Sequence, residues 1–303
     1  MGAAIAADQQ MQELRARVRG PVNSIYTTFT RDGDLDWPGI RTMIDIGIAG
    51  GSEVCLLTFG DSQLDFLSDA EVAELTRVVV EQCAGRALTV AATKRWSQRQ
   101  TLEYARYCRE LGVDLLMMLP SDHALSAAGK IVWYKAAARE IPVMLVGFPT
   151  YDILDGVVDE PRICAFKEDG TLDYSLGMMI RYPGQWAYMT GGMYRRHLAQ
   201  WPYGCHSFFS WASTIAPAIA NRYWTAVQAN DLAAAVEVVT TIEAPYFRLM
   251  DRYPERFQDL HRGALELNGI AQRYLRAPRR SLDDGEMEEL TAALRPLGLL
   301  PNG

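Results

Sequence analysis

Lys167 closes the short apolar run RICAFK at residues 162–167. A lysine ending a buried strand would be partly desolvated. Desolvation disfavours the ammonium form, and a neutral amine attacks carbonyl carbon. The segment alone equally allows a lysine that extends to the rim, or one paired with Glu168 or Asp169. Other apolar runs also end in polar groups. After Leu119 come Ser121, Asp122 and His123, where Asp122 and His123 offer acid–base groups; Pro-Ser-Asp is also an ordinary helix start. Thr93, Lys94 and Arg95 follow another run. Cations there suit an anionic substrate, and an arginine grips a carboxylate through two N–H groups, although either side chain would serve as solvated rim. Thr58, Phe59, Gly60, Asp61 and Ser62 follow a further run, in which Gly-Asp-Ser is in itself a good turn. Gly191, in MTGG, would let backbone approach a ligand closely, and is also an ordinary loop residue.

These residues need a scaffold that aims several strand ends at one point. From Pro21 the chain alternates short apolar runs with longer amphipathic stretches. The predicted strands are 21–28, 53–59, 87–93, 114–119, 142–148, 162–167, 186–190 and 205–210. Several are nearly continuous in apolar residues, as in parallel strands covered on both faces. Ser68 with Glu71 and Ser97 with Gln100 fit capping boxes, and Gly112 fits a helix stop. Eight strand–helix alternations predict an α/β fold, a closed (β/α)8 TIM barrel whose working residues sit at the C-terminal strand ends. Residues 216–303 read as a C-terminal helical extension, broken near Tyr253-Pro254 and Ala277-Pro278, with 21–215 as barrel core and 1–20 as a polar N-terminal extension, helical in part. An open doubly wound sheet would need a phosphate-binding glycine loop after the first strand, and NSIYTTFTRDGD has none.

The ordered set NSIYTTF, LTFGDS, PVMLVGFP, FKED, MTGG and GCHSFFSWASTIAP resembles the dihydrodipicolinate synthase/N-acetylneuraminate lyase family over about residues 20–217. The resemblance implies that Lys167 forms a Schiff base with a 2-oxo acid, with no cofactor and no metal. It places Thr58 on the first threonine of the family's GTTGES, in the proton relay near the substrate carboxylate. Phe59 replaces the second threonine, Gly60 is kept, Asp61 stands for the glutamate, and Ser62 is retained. Gly191 matches a glycine close to the substrate, and Phe209 a residue whose carbonyl faces the site. Two departures are informative. Val146 stands where the family has a proton-relaying tyrosine, and valine neither donates nor accepts a proton; Asp122, His123 or a water would have to replace it. Tyr151 falls where the synthases carry an arginine for their second substrate, which argues against dihydrodipicolinate synthase activity itself. The rings of Phe59, Phe148, Phe209 and Trp211 suggest a more aromatic pocket and a bulkier, less polar substrate. The family commonly forms tetramers built from dimers, so a homo-oligomer is expected.

Composition removes other classes. A net charge of −7 over 303 residues disfavours nucleic acid as partner. Five scattered cysteines without CxxC and four dispersed histidines suggest reduced thiols and no zinc site. No apolar run approaches ~18 residues, and the first residues do not read as a secretory signal, so a cytoplasmic protein away from membranes is expected. The leading expectation is a class I lyase, aldolase or dehydratase. The alternative is a catalytically degenerate relative that binds a small carboxylate. A dinucleotide-dependent oxidoreductase lacks its fingerprint.

Overall fold

Eight short parallel strands pair in chain order, and the last closes on the first. They are β1 (Gly20–Ser24), β2 (Val54–Leu56), β3 (Leu88–Ala92), β4 (Leu115–Met118), β5 (Val143–Gly147), β6 (Ile163–Glu168), β7 (Ala187–Thr190) and β8 (Cys205–Phe209). The (β/α)8 barrel expected from the alternation is the fold of this computed structural model, which describes residues 2–120 and 124–301. Ser121, Asp122 and His123 lie outside the described residues.

Helix α1 (Gly2–Arg17) precedes the barrel; its Met11 and Leu14, with Val18 just after it, pack into the core shared with β1–β4. The helices between strands are α2 (Trp37–Ala49), α3 (Asp69–Cys83), α4 (Gln98–Leu111), α5 (Ala127–Glu140), α6 (Tyr151–Val157), α7 (Leu172–Arg181) and α8 (Tyr194–Gln200). Both expected capping boxes form: Ser68 with Glu71 opens α3, Ser97 with Gln100 opens α4, and Gly112 ends α4 in a left-handed conformation. The strands are buried on both faces, which is why they read as apolar runs rather than alternating ones.

The first strand is shorter than its sequence suggests. Past Ser24 the chain turns to the loop after β2: the Thr27 amide donates to the Asp61 carbonyl at 3.0 Å instead of continuing a ladder. Beyond β8 the chain is helical, in α9 (Ala212–Ile215), α10 (Pro217–Gln228), α11 (Leu232–Val238), α12 (Ala244–Arg248), α13 (Phe257–Leu267) and α14 (Asp284–Leu294). A π-helical turn, Val239–Glu243, joins α11 to α12. These helices build a second apolar core with Tyr26, Met43 and Phe208. Helix α13 thereby reaches the C-terminal end of the barrel, the end where the site lies.

Candidate active site

Alternation along β6 turns Lys167 into the barrel and Glu168 out towards the helices. Lys167 is 7% exposed, and its Nζ meets a cavity of about 330 Å3 at the C-terminal mouth. The walls are mostly apolar, with Met117 from β4, Val146 from β5, and Phe59, Phe209 and Trp211 from the ends of β2 and β8. Lys167 Nζ donates to Asp169 Oδ1 at 2.7 Å and lies 6.0 Å from the centre of the Phe209 ring. Strand periodicity puts residues 167 and 169 on one side, so the pairing with Asp169 rather than Glu168 follows from the backbone.

Gly191 makes that pairing possible. A β-carbon at position 191 would fall 1.7 Å from Asp169 Oδ1 and 2.6 Å from the Glu168 carbonyl oxygen. Only a residue without a side chain leaves room for the carboxylate.

Glu168 fixes the other side of the strand. Its carboxylate is fully buried and accepts from Arg196 Nε at 2.9 Å, Gln200 Nε2 at 2.6 Å and Thr190 Oγ1 at 3.0 Å, with Ser175 and a second Arg196 nitrogen also bound to it. A buried carboxylate is tolerated because all these donors converge on it. The network ties β6 to β7, α7 and α8, and so holds the backbone from which Lys167 projects.

Across the cavity, the turn after β2 is built from its own side chains. Thr58 Oγ1 accepts from the Asp61 amide at 3.1 Å, and Ser62 Oγ accepts from the Thr58 amide at 3.0 Å. The Thr58 hydroxyl is used here as an acceptor, and no acceptor takes its proton among the described residues. Asp61 is buried and accepts from Ser24 Oγ at 2.8 Å. Burial pushes its carboxyl above the ordinary range, against the opposing effects of the Ser24 hydrogen bond and the Arg262 and Lys167 charges.

The C-terminal helices supply the roof. Phe247 from α12 and Phe257 from α13 line the cavity, their rings stacked 5.7 Å apart. Arg262 on α13 is fully buried and clamps the loops below: its Nε and Nη2 donate to the Thr27 carbonyl at 3.0 and 2.7 Å, and Nη2 also to the Asp61 carbonyl at 2.7 Å.

The structure therefore brings Thr58, Phe59, Gly60, Asp61, Lys167, Gly191 and Phe209 around one cavity. Arg95 is elsewhere. Its side chain is 72% exposed, 3.8 Å from Asp65, on the wall of a neighbouring cavity. Tyr151 begins α6 outside the lysine cavity, against Tyr174 and Tyr182 with Arg181 over its ring. Asp122 and His123 fall outside the described residues. Asp169 was visible in sequence only as a possible ion-pair partner. Phe247 and Phe257 lie far along the chain from any strand end, and no local signal marks them.

The family model described as "Dihydrodipicolinate synthetase family" matches residues 17–297. A 4-hydroxy-tetrahydrodipicolinate synthase of Dechloromonas aromatica (strain RCB) is 24% identical over 297 residues, covering 93% of this chain and 99% of that protein. Among solved structures, an N-acetylneuraminate lyase from Mycoplasma synoviae superposes with a TM-score of 0.82 at 20% identity, over 92% of this chain and 98% of its own. YagE, a prophage protein from E. coli K12 solved in complex with pyruvate, gives 0.82 at 21% identity, over 93% and 99%. With the matched model spanning both the barrel and its helical roof, this chain belongs to the dihydrodipicolinate synthetase family, a family of lyases.

Proposed function

We propose that the protein is a class I lyase that binds a 2-oxo acid and activates it as an imine of Lys167. The observation that carries this reading is one lysine amine inside an apolar-walled cavity at the C-terminal mouth, with a single carboxylate hydrogen-bonded to it. The amine must first lose a proton, and Asp169 Oδ1 at 2.7 Å is the nearest acceptor. Nζ then attacks C2 of the acid, a proton passes from the nitrogen to the former carbonyl oxygen to give the carbinolamine, its hydroxyl leaves as water on taking back the proton held by Asp169, and the resulting iminium draws electrons from C3. A proton, or the C3–C4 bond, can then be released. Thr58 would donate its hydroxyl to the substrate carboxylate. Val146 walls the cavity beside Lys167, its register partner on β6, so no phenol acts from that side. The reaction as written needs no further cofactor.

The Lys167–Asp169 ion pair together with Val146 also suits a relative that binds a small carboxylate without turnover. Borohydride reduction separates the two. Incubation with pyruvate or larger 2-oxo acids, reduction, and intact-mass measurement should give an adduct that Lys167→Ala lacks. No adduct with any acid would assign the cavity to binding alone.

A further inference from the structure

A second cavity, of about 730 Å3, opens beside the first on the same face of the barrel. Phe59 belongs to the walls of both. The two also follow each other along the same strands: on β5, Val146 faces the lysine cavity while Gly147 and the following Phe148 line the second, and past β4 Leu119 does so. Gly147 has φ +90, a conformation that turns the chain outward and that a side chain would strain.

This second cavity holds features that its own fold does not use. Phe148 is 69% exposed and Leu119 40% exposed, on a wall that also contains Phe59 and Tyr134. Large apolar rings left open beside a catalytic cavity gain stability when a ligand covers them. The side chain of Lys130, half-buried in the first turn of α5, has no hydrogen-bond or ion-pair partner among the described residues. The nearby charges are otherwise engaged: Asp65 lies 3.8 Å from Arg95, and Asp152 accepts from the Thr150 hydroxyl. The N-terminus of α5 adds to the positive field at Lys130.

We propose that this cavity is the tail site for the same substrate, and that the protein acts on 2-oxo acids carrying an aromatic-sized apolar body that ends in an anionic group. The inference rests on the Lys167 imine reading for the head of the molecule. The oxo-acid head would enter the smaller cavity, the apolar body would lie between Phe59, Phe148 and Leu119, and the terminal anion would meet Lys130. The substrate is thereby distinguished from short, polar aldehydes and sugars, which would leave these rings uncovered.

The test compares pyruvate, benzylpyruvate and para-carboxybenzylpyruvate by titration calorimetry on the full chain. Affinity should rise in that order, by about tenfold for the ring and about as much again for the terminal carboxylate. Phe148→Ala should shrink the advantage of both ring-bearing acids over pyruvate. Lys130→Met should remove only the advantage of the carboxylated acid over benzylpyruvate. Both positions are open enough that neither change threatens the core. The same series in Lys167→Ala separates the two readings: the ordering should persist there with weaker binding throughout. An ordering that persists with undiminished binding would remove the imine reading and leave the tail site standing. The proposal is overturned if the ring-bearing acids bind no better than pyruvate, or if neither substitution alters the ordering. It is also overturned if Phe148→Ala changes only the oligomeric state in size-exclusion chromatography, which would make this patch a contact between copies.

Discussion

The Asp169 carboxylate occupies the space that a β-carbon on residue 191 would need: the two positions are 1.7 Å apart. The pairing of Asp169 with Lys167 thus depends on an absent side chain on the neighbouring strand end. Gly191→Ala should expel the carboxylate from its place and shift the Glu168 carbonyl, 2.6 Å from the same point. The expected result is at least a tenfold slower borohydride trapping, with a loss of about 1–3 kcal/mol in unfolding free energy, the usual cost of overpacking. Trapping at the wild-type rate would mean that Asp169 takes no part in freeing the amine.

Glu168 offers a contrasting case next to the lysine. Its carboxylate gathers Arg196, Gln200, Thr190 and Ser175 at full burial. Glu168→Gln keeps the shape but turns an amide NH2 towards groups that are themselves donors, and leaves the Arg196 charge without its partner. A cost of about 3–5 kcal/mol is expected, measured by urea unfolding, whereas Lys167→Ala should cost far less. Equal stability of the two variants would show that the network is dispensable for the barrel.

The barrel was legible because each strand carries its own signal: continuous apolar residues, capping boxes at 68 and 97, and a glycine stop at 112. Lys167 was legible for the same reason, as a charged residue ending such a run. What could not be read were relations between strands and across the chain. Arg95 shares its type and position with a substrate-binding cation, yet the loop carries it to the next cavity, beside Asp65. The role of Gly191 depends on a carboxylate belonging to another strand. Phe247 and Phe257 reach the cavity only because α12 and α13 fold back over the mouth. Helical periodicity marks them as apolar, and says nothing of which surface they meet.

A pH dependence follows from His197 on α8. Its Nε2 donates to the Cys205 carbonyl at 3.0 Å, and its Nδ1 lies 2.8 Å from the Tyr223 hydroxyl, which also reaches the Tyr194 carbonyl at 2.9 Å. Burial lowers its pKa to about 3. The folded value is depressed below that of the unfolded chain, so the folded state binds fewer protons between the two. Stability is complete above about pH 6.5 and falls as pH drops towards 3, with about 2 kcal/mol lost by pH 5 from this residue. His197→Gln should be less stable than wild type at pH 7.5, with a visibly smaller decline to pH 5 in urea unfolding. Parallel declines in the two proteins would place the acid sensitivity elsewhere.

The last prediction concerns how the helical roof is held on the site. Arg262 donates to the Thr27 and Asp61 carbonyls from α13, and burial lowers its pKa to about 10, which still leaves it charged at neutral pH. Arg262→Met keeps much of the volume but leaves both buried carbonyls without this donor, at a cost of about 2–4 kcal/mol. Arg262→Lys should recover little, because one ammonium on a flexible stem cannot reproduce the planar fork that reaches two loops together. Since Phe257 sits on the same helix and lines the lysine cavity, both variants should also slow borohydride trapping, and Phe257→Ala should slow it without the large loss of stability. If Arg262→Met unfolded like wild type and trapped at the wild-type rate, the roof would have to be held by its apolar core with Tyr26 and Trp211, and the arginine would be a passenger in it.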